Sequence, residues 1–313
     1  MKKLLSLSAI GFLLYLILGA VLPFVSQPKI SEETVSTVDA TMFVDTDTGP
    51  ERERILSDNV QALEKRIRLI SQAKDRIVLS TFDFRADESG KDTLSALCAA
   101  ADRGVTVEVL VDGFPALLYL GNSPYFQALS AMERAWIRIY NPIPLIKPWR
   151  LMGGLHDKYL LVDNQTYILG GRNTYDYFLG EYSKHKNYDW DVLVWCSDTR
   201  KASSVNQLMD CFSRMWSSGL CRLYHDDRSE LDDPDVKEAK NELYTRYQNL
   251  TSEHPDWFVS CDYKSVTAPT NQIQFVSNPT HCGIKEPVVF YTVTQLMQQA
   301  QTEVRPHPLY DLR

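Results

Sequence analysis

From Leu56 to Val111 the apolar residues switch repeatedly between a helical and an extended period, and this alternation most narrows what the chain can become. Val60, Leu63, Ile67 and Ile70 recur at helical spacing behind Ser57 or Asp58 as a cap, and Arg76 to Phe82 then reads as a strand. Leu94, Leu97, Cys98 and Ala101 restore the helical period until Gly104 ends it, and Val105 to Val111 is a second buried strand. Further strands are expected at Trp136 to Tyr140, Leu155 to Val162, Tyr167 to Leu169 and Asp191 to Trp195. Asp163-Asn164 supplies a turn, and a helix runs across Ala202 to Trp216. The pattern predicts an α/β layered domain with a mixed β-sheet flanked by helices. With 313 residues, 44% of them hydrophobic, the chain has material for one sizeable domain and part of another.

Ahead of this domain, Leu4 to Val25 is uncharged and almost wholly apolar. At about 1.5 Å per helical residue, such a run crosses a hydrocarbon core of roughly 30 Å. Residues 1–25 therefore read as one N-terminal transmembrane helix. A cleaved signal peptide ending near Ala20 is the rival reading, but the run exceeds the roughly 7–15 residues of a signal core. Lys2 and Lys3 precede the run, and Lys29 is the one basic residue between it and Asp47. That asymmetry keeps the N-terminus cytoplasmic and puts the rest outside the cytoplasm. Residues 26–55, rich in Ser, Thr, Asp and Pro, read as a tether. Lys and Arg total 33 against 40 Asp and Glu, a net charge of −7, so nucleic acid is not the expected partner. The six cysteines show neither Cys-x-x-Cys pairs nor accompanying His spacing, so no metal site is expected. Cys98 and Cys211 fall inside helical apolar patterns and read as buried thiols. No cofactor is indicated.

Chemistry concentrates between Leu155 and Asn173, in Leu-His-Asp-Lys-Tyr-Leu-Leu-Val-Asp-Asn-Gln-Thr-Tyr-Ile-Leu-Gly-Gly-Arg-Asn. On a strand, residues two apart share a face, so His156 and Lys158 point the same way, a nucleophile beside a cation. Gly170 and Gly171 would let backbone approach an anion closely, and a helix beginning near Asn173 would aim free N–H groups at a phosphate.

The spacing His-x-Lys-x4-Asp-x6-Gly-Gly-x-Asn resembles the signature of the phospholipase D superfamily. Ser80-Thr-Phe-Asp-Phe-Arg, Asp102-Arg-Gly-Val, Leu110-Val-Asp-Gly, Tyr140-Asn-Pro and Asp191-Val-Leu-Val look like the first half of bacterial cardiolipin-synthase-like members. The resemblance implies phosphodiester hydrolysis or phosphatidyl transfer without metal, through a phosphohistidine on His156. It implies that Lys158 and Asn173 hold phosphate oxygens, that Asp163 holds the site's cation and strand geometry, and that Asp191, with Asp189 as the alternative, fixes the tautomer of His156. The implied partners are a phospholipid substrate and the membrane.

Such enzymes pair two facing motifs, and this sequence holds the motif once. After the half-domain of residues 56–223, the charged stretch 224–264, with one helix at Val236 to Tyr247, reads as a connector. Leu69-Ile-Ser-Gln-Ala then aligns with Leu296-Met-Gln-Gln-Ala, so residues 265–313 read as the incomplete start of a second half-domain. Pro306 to Leu312 abandon the strand pattern, as a shifted reading frame would make them. The expectation is half of a two-motif phosphatidyltransferase, completed by a missing C-terminal half. The alternatives are a homodimeric single-motif phosphodiesterase or nuclease, and an inactive membrane-tethered fragment.

Overall fold

The computed structural model describes residues 2–25, 28–38, 47–143, 146–150, 153–225, 228–280 and 283–303. The expected break at Pro306 to Leu312, Cys282 and part of the tether lie outside them. The strands are β1 (Glu51–Leu56), β2 (Arg76–Thr81), β3 (Thr106–Asp112), β4 (Ala135–Tyr140), β5 (Tyr159–Val162), β6 (Thr166–Gly170), β7 (Asp191–Cys196), β8 (Cys221–Leu223) and β9 (Ala268–Pro269). Among the described residues they form one mixed sheet in the order β8-β4-β3-β2-β5-β6-β7-β1-β9. β2, β3 and β4 run parallel, and every other pairing is antiparallel.

Helices cover both faces because alternate residues of the central strands are apolar on both sides. Ile77 and Leu79 of β2 join the larger core, with Leu63 and Ile67 of α3 (Asn59–Gln72) and Leu94 and Leu97 of α4 (Glu88–Asp102). Val78 faces the other way, into a second core with Leu208, Phe212 and Met215 of α6 (Ser204–Trp216), while α5 (Pro124–Ser130) adds Phe126 and Leu129 to the first. Capping acids start the helices: Asp58 accepts the Gln61 N–H at 2.9 Å, and Asp87 accepts that of Gly90 at 3.2 Å. The layered α/β fold is thus the one expected. At its N-terminus, α1 (Lys2–Val21) opens an apolar stretch, Leu7–Phe24, of mean hydropathy 2.3 with no part buried, long and apolar enough to cross a membrane, and the short α2 (Glu32–Thr37) follows it.

The structure departs from the sequence reading at several places. The tether ends early, because Glu51–Leu56 is a strand paired to β7. Its Glu-Arg-Glu-Arg run lacks apolar alternation, and polar bonds hold it instead: buried Glu51 accepts from Ser204 Oγ at 2.6 Å, and Arg52 Nε donates to Thr267 Oγ1 at 3.1 Å. Residues 153–158 are irregular rather than the start of a strand. The stretch 224–264 is more than a connector, since α7 (Pro234–Glu253) buries Val236, Ala239, Leu243 and Leu250, and its Arg246 pairs with Asp92 and Glu88 of α4. Beyond it, β9 joins the same sheet and Ile273 and Phe275 pack on the second core. In the described part, residues 268–275 therefore extend the first unit, where a second half-domain was expected to begin.

Candidate active site

β5 runs antiparallel to β2, with Tyr159 opposite Ser80, so the residues leading into β5 lie at the carboxyl ends of β2 and β3. Ligands of open α/β sheets characteristically bind at that edge. Asp112, the last residue of β3, fixes the approach: one carboxylate oxygen accepts the Leu155 N–H at 2.6 Å and the other that of Phe114 at 2.9 Å. A Cβ on Gly154 would sit 2.9 Å from that carboxylate, so the closest approach suits glycine.

This places His156 in the open with Lys158 buried beneath it. Lys158 Nζ donates to the His156 carbonyl at 2.7 Å and lies 3.1 Å from its Nδ1. Phe82 walls the pair, its ring 5.0 Å from the imidazole and 5.7 Å from the ammonium. Desolvation by these walls, helped by the adjacent Lys158 cation, holds the His156 imidazole below its ordinary value. Burial pushes Lys158 down to about 8, against the pull of Asp157 and Asp189. A neutral imidazole beside a cation is a pairing suited to nucleophilic attack on an anionic ester.

Gly170 and Gly171 stand beside this pair, with the Gly170 N–H donating to the Lys158 carbonyl at 3.1 Å. What approaches them differs from expectation. A Cβ on Gly170 would lie 2.1 Å from Asp191 Oδ1, and one on Gly171 would lie 1.9 Å from Asp189 Oδ2. The glycines thus make room for two acidic side chains of the neighbouring segment, where sequence reasoning had an anionic ligand. No helix starts at Asn173. Arg172 is drawn into the core, where it donates to the carbonyls of Leu56 and Ser57 and to Asn59 Oδ1, and Thr174 bridges Phe84. Asn173 itself is buried against the residue after Phe82, its Oδ1 accepting the Asp83 N–H at 3.2 Å.

Two expected partners are elsewhere. Asp191 does not serve His156: its carboxylate is 3.0 Å from Arg66 Nη1 and 3.2 Å from Arg172 Nη1, and all three side chains are buried. Asp189 instead faces Lys158, where it adds to the stronger pull of Asp157. Asp163 is farther still. It and Asn164 adopt left-handed φ values of 52° and 50° at the tip of the β5–β6 hairpin, closed by Gln165 N–H to Val162 C=O at 3.0 Å. The Asp163 carboxylate accepts the backbone N–H groups of Lys74, Asp75 and Arg76 at 2.9, 2.8 and 3.0 Å. The four residues of β5 separate it from Lys158, five steps of chain or roughly 16 Å at strand rise.

A cavity of about 990 Å³ opens over His156 and Lys158. One wall is the motif; the other comes from residues 271–280, Lys285 and α8 (Val288–Gln298), with Phe275, Val276, Val289, Val293 and Leu296 giving it an apolar lining. Sequence reasoning missed this wall, and also Asp112, Arg66 and Arg172. Asp112 stood in the Leu-Val-Asp-Gly match and was legible there; nothing local marks the other two arginines.

Residues 66–216 match the family described as cardiolipin synthase, PLD-like domain. Cardiolipin synthase C of Escherichia coli (strain K12) is 28% identical over 213 residues, which cover 64% of this chain and 42% of that protein. Cardiolipin synthase B of the same strain is 30% identical over 145 residues, 45% of this chain and 34% of that protein. The chain thus spans less than half the length of these relatives. Similar solved structures include a phosphatidylserine synthase from Haemophilus influenzae Rd KW20, 16% identical with a TM-score of 0.48, covering 71% of this chain and 48% of that one. Another is Nuc, a phospholipase D family member from Salmonella typhimurium, 20% identical with a TM-score of 0.42, covering 56% of this chain and 99% of that one.

Proposed function

Residues 66–216 belong to the phospholipase D superfamily and are cardiolipin-synthase-like, and from that premise we propose that the chain supplies a half-site for phosphodiester hydrolysis or phosphatidyl transfer on phospholipids. The observation that carries this reading is the His156–Lys158 pair at the wall of an apolar cavity. In the resting arrangement the Lys158 ammonium donates to Nδ1, which leaves the proton of a neutral imidazole on Nε2. A phosphate arriving at Lys158 draws that ammonium away. The tautomer with its proton on Nδ1 then offers an Nε2 lone pair to phosphorus.

Attack forms the N–P bond and expels the alcohol as its P–O bond breaks, with the leaving oxygen taking a proton from a group outside this half-site. Lys158 and the Asn173 amide offset charge on the non-bridging oxygens. Water or a second alcohol then attacks phosphorus and frees His156. The complementary half-site comes from a second copy of this chain or from a C-terminal half that completes the active site. Apolar α1 anchors the assembly, with Lys2 and Lys3 on the cytoplasmic side and the domain outside.

The test is to incubate the full chain in detergent with phospholipid labelled at phosphorus and quench into alkali, in which a phosphohistidine survives. Label at His156 that is lost in His156→Ala supports the reading. Equal label in the variant, or none in either after addition of a complementing half-site, overturns it.

A further inference from the structure

Next to the site, the chain exposes an apolar surface that the proposed chemistry does not use. After β3 it makes a single π-helical turn, Ala116–Leu120, an arrangement that recurs at functional positions. Around this turn Phe114, Leu117 and Leu118 are 57%, 65% and 57% exposed. After the adjacent β4, Ile146 and Trp149 are also exposed. The two loops meet at their bases, since a Cβ on Gly113 would lie 2.3 Å from the Asn141 carbonyl oxygen. Both leave the carboxyl edge of the sheet, where Asp112 also holds the His156 segment.

Two observations indicate what covers this surface. The first is α1. Tyr15, inside the apolar span, donates its hydroxyl to the Ile146 carbonyl at 2.7 Å, and Gly19, one turn on, packs against Pro148. Tyr15 lies nine residues before Phe24, about 13 Å along a helix. A loop that reaches Tyr15 of a membrane-spanning helix therefore sits below the headgroups. The contact also gives a phenol at that depth the acceptor it needs. The second observation is charge. From Ala135 to His156 the sequence contains no acidic residue, and the segment after β4 carries the basic Lys147 and Arg150, in a chain of net charge −7. Apolar side chains with Trp149, Lys147 and Arg150 at their border are the composition of a segment lying in an anionic bilayer interface.

We infer that the β3 and β4 loops, through Phe114, Leu117, Leu118, Ile146 and Trp149, dock into the outer leaflet of the bilayer that α1 crosses, and so hold the mouth of the His156 cavity at headgroup level. This deepens the proposed function and rests on its membrane-anchored topology. Lipid then enters the cavity laterally, with its phosphate near the interface and its acyl chains never passing through water.

The test uses the full chain in vesicles of dioleoyl phosphatidylcholine containing dioleoyl phosphatidylglycerol, with the photoreactive residue p-benzoylphenylalanine placed at one position at a time. Leu118 and Trp149 report the docked surface, and Phe12 reports α1. Val259 is the reference: it is 62% exposed, and its carbonyl is bound by Gln72 near the opposite end of the sheet. On illumination, Leu118 and Trp149 should add the mass of a phospholipid at a yield about tenfold above Val259, as Phe12 does. Leu118 and Trp149 matching Val259 while Phe12 labels lipid overturns docking and leaves the anchor intact. Adducts to a second protein chain also overturn it, and failure at Phe12 removes the anchor together with the proposal. Catalysis is read separately: His156→Ala should label lipid identically, so a failed phosphohistidine test and a failed docking test cannot be confused.

Discussion

At one end of β5, His156 and Lys158 stand at a cavity wall, one exposed and one buried, with nearby charge and desolvation displacing both titrations. At the other end Asp163, from the same short motif, lies folded over three backbone amides where β2 begins. The first end holds an imidazole and an ammonium close together against the Phe82 ring, a costly arrangement that the proposed chemistry would use. The second satisfies backbone donors and fixes the hairpin in register. On the proposed function, a motif contiguous in sequence is split between chemistry and architecture, with the four residues of β5 as the rigid spacer between them.

Substitutions at the two ends should separate these roles. His156→Ala removes the proposed nucleophile and should lower turnover in the complemented enzyme by about 10⁴-fold, with the melting temperature nearly unchanged. A comparable fall in melting temperature would mean that His156 is structural. Beneath the site, Arg172→Met leaves buried Asp191 with one of its two cations and removes the donors to the carbonyls of buried Leu56 and of Ser57 at the core edge. The expected cost is about 3–5 kcal/mol of unfolding free energy, measured by denaturant titration. Asp163→Ala should cost less, about 2 kcal/mol, because water can reach the freed amides of Lys74 and Asp75. The folded fraction of that variant should turn over within a few-fold of the parent. If its turnover instead fell as far as that of His156→Ala, the division between the two ends of β5 would be wrong.

Part of this division was legible in the sequence. Asp163-Asn164 reads as a hairpin turn, and a turn residue five positions along extended chain from Lys158 cannot fold back to it. The family signature hid that consequence. Buried strands such as Val105 to Val111 announced themselves by apolar composition, whereas β1 did not, because polar contacts to Ser204 and Thr267 hold its charged residues and those partners are distant in sequence. The glycines were legible as points of close approach. The identity of the approaching groups, Asp189 and Asp191, was not, since a sequence does not state what lies across a sheet edge. For the same reason the apolar wall from residues 271–296 was invisible: its segment was read as the start of another domain.

The smallest expected effect tests the electrostatics of the catalytic end directly. In the proposed mechanism His156 attacks only when neutral, and burial together with the Lys158 cation holds its pKa below the ordinary 6.5, so activity should fall as pH drops through that lowered value. In the same mechanism Lys158 binds phosphate only when charged, and burial brings its pKa to about 8, so activity should also fall as pH rises through about 8. The product is a bell with its optimum between these limits, falling about tenfold per pH unit outside them. Lys158→Arg keeps a cation that does not titrate in this range. It should lower the plateau, because a planar guanidinium fits the ammonium's place poorly, yet erase the alkaline limb and leave the acid limb in position. Asp163→Ala, acting at the far end of β5, should move neither limb. An alkaline limb that persists in Lys158→Arg would assign that titration to another group and remove Lys158 from phosphate binding.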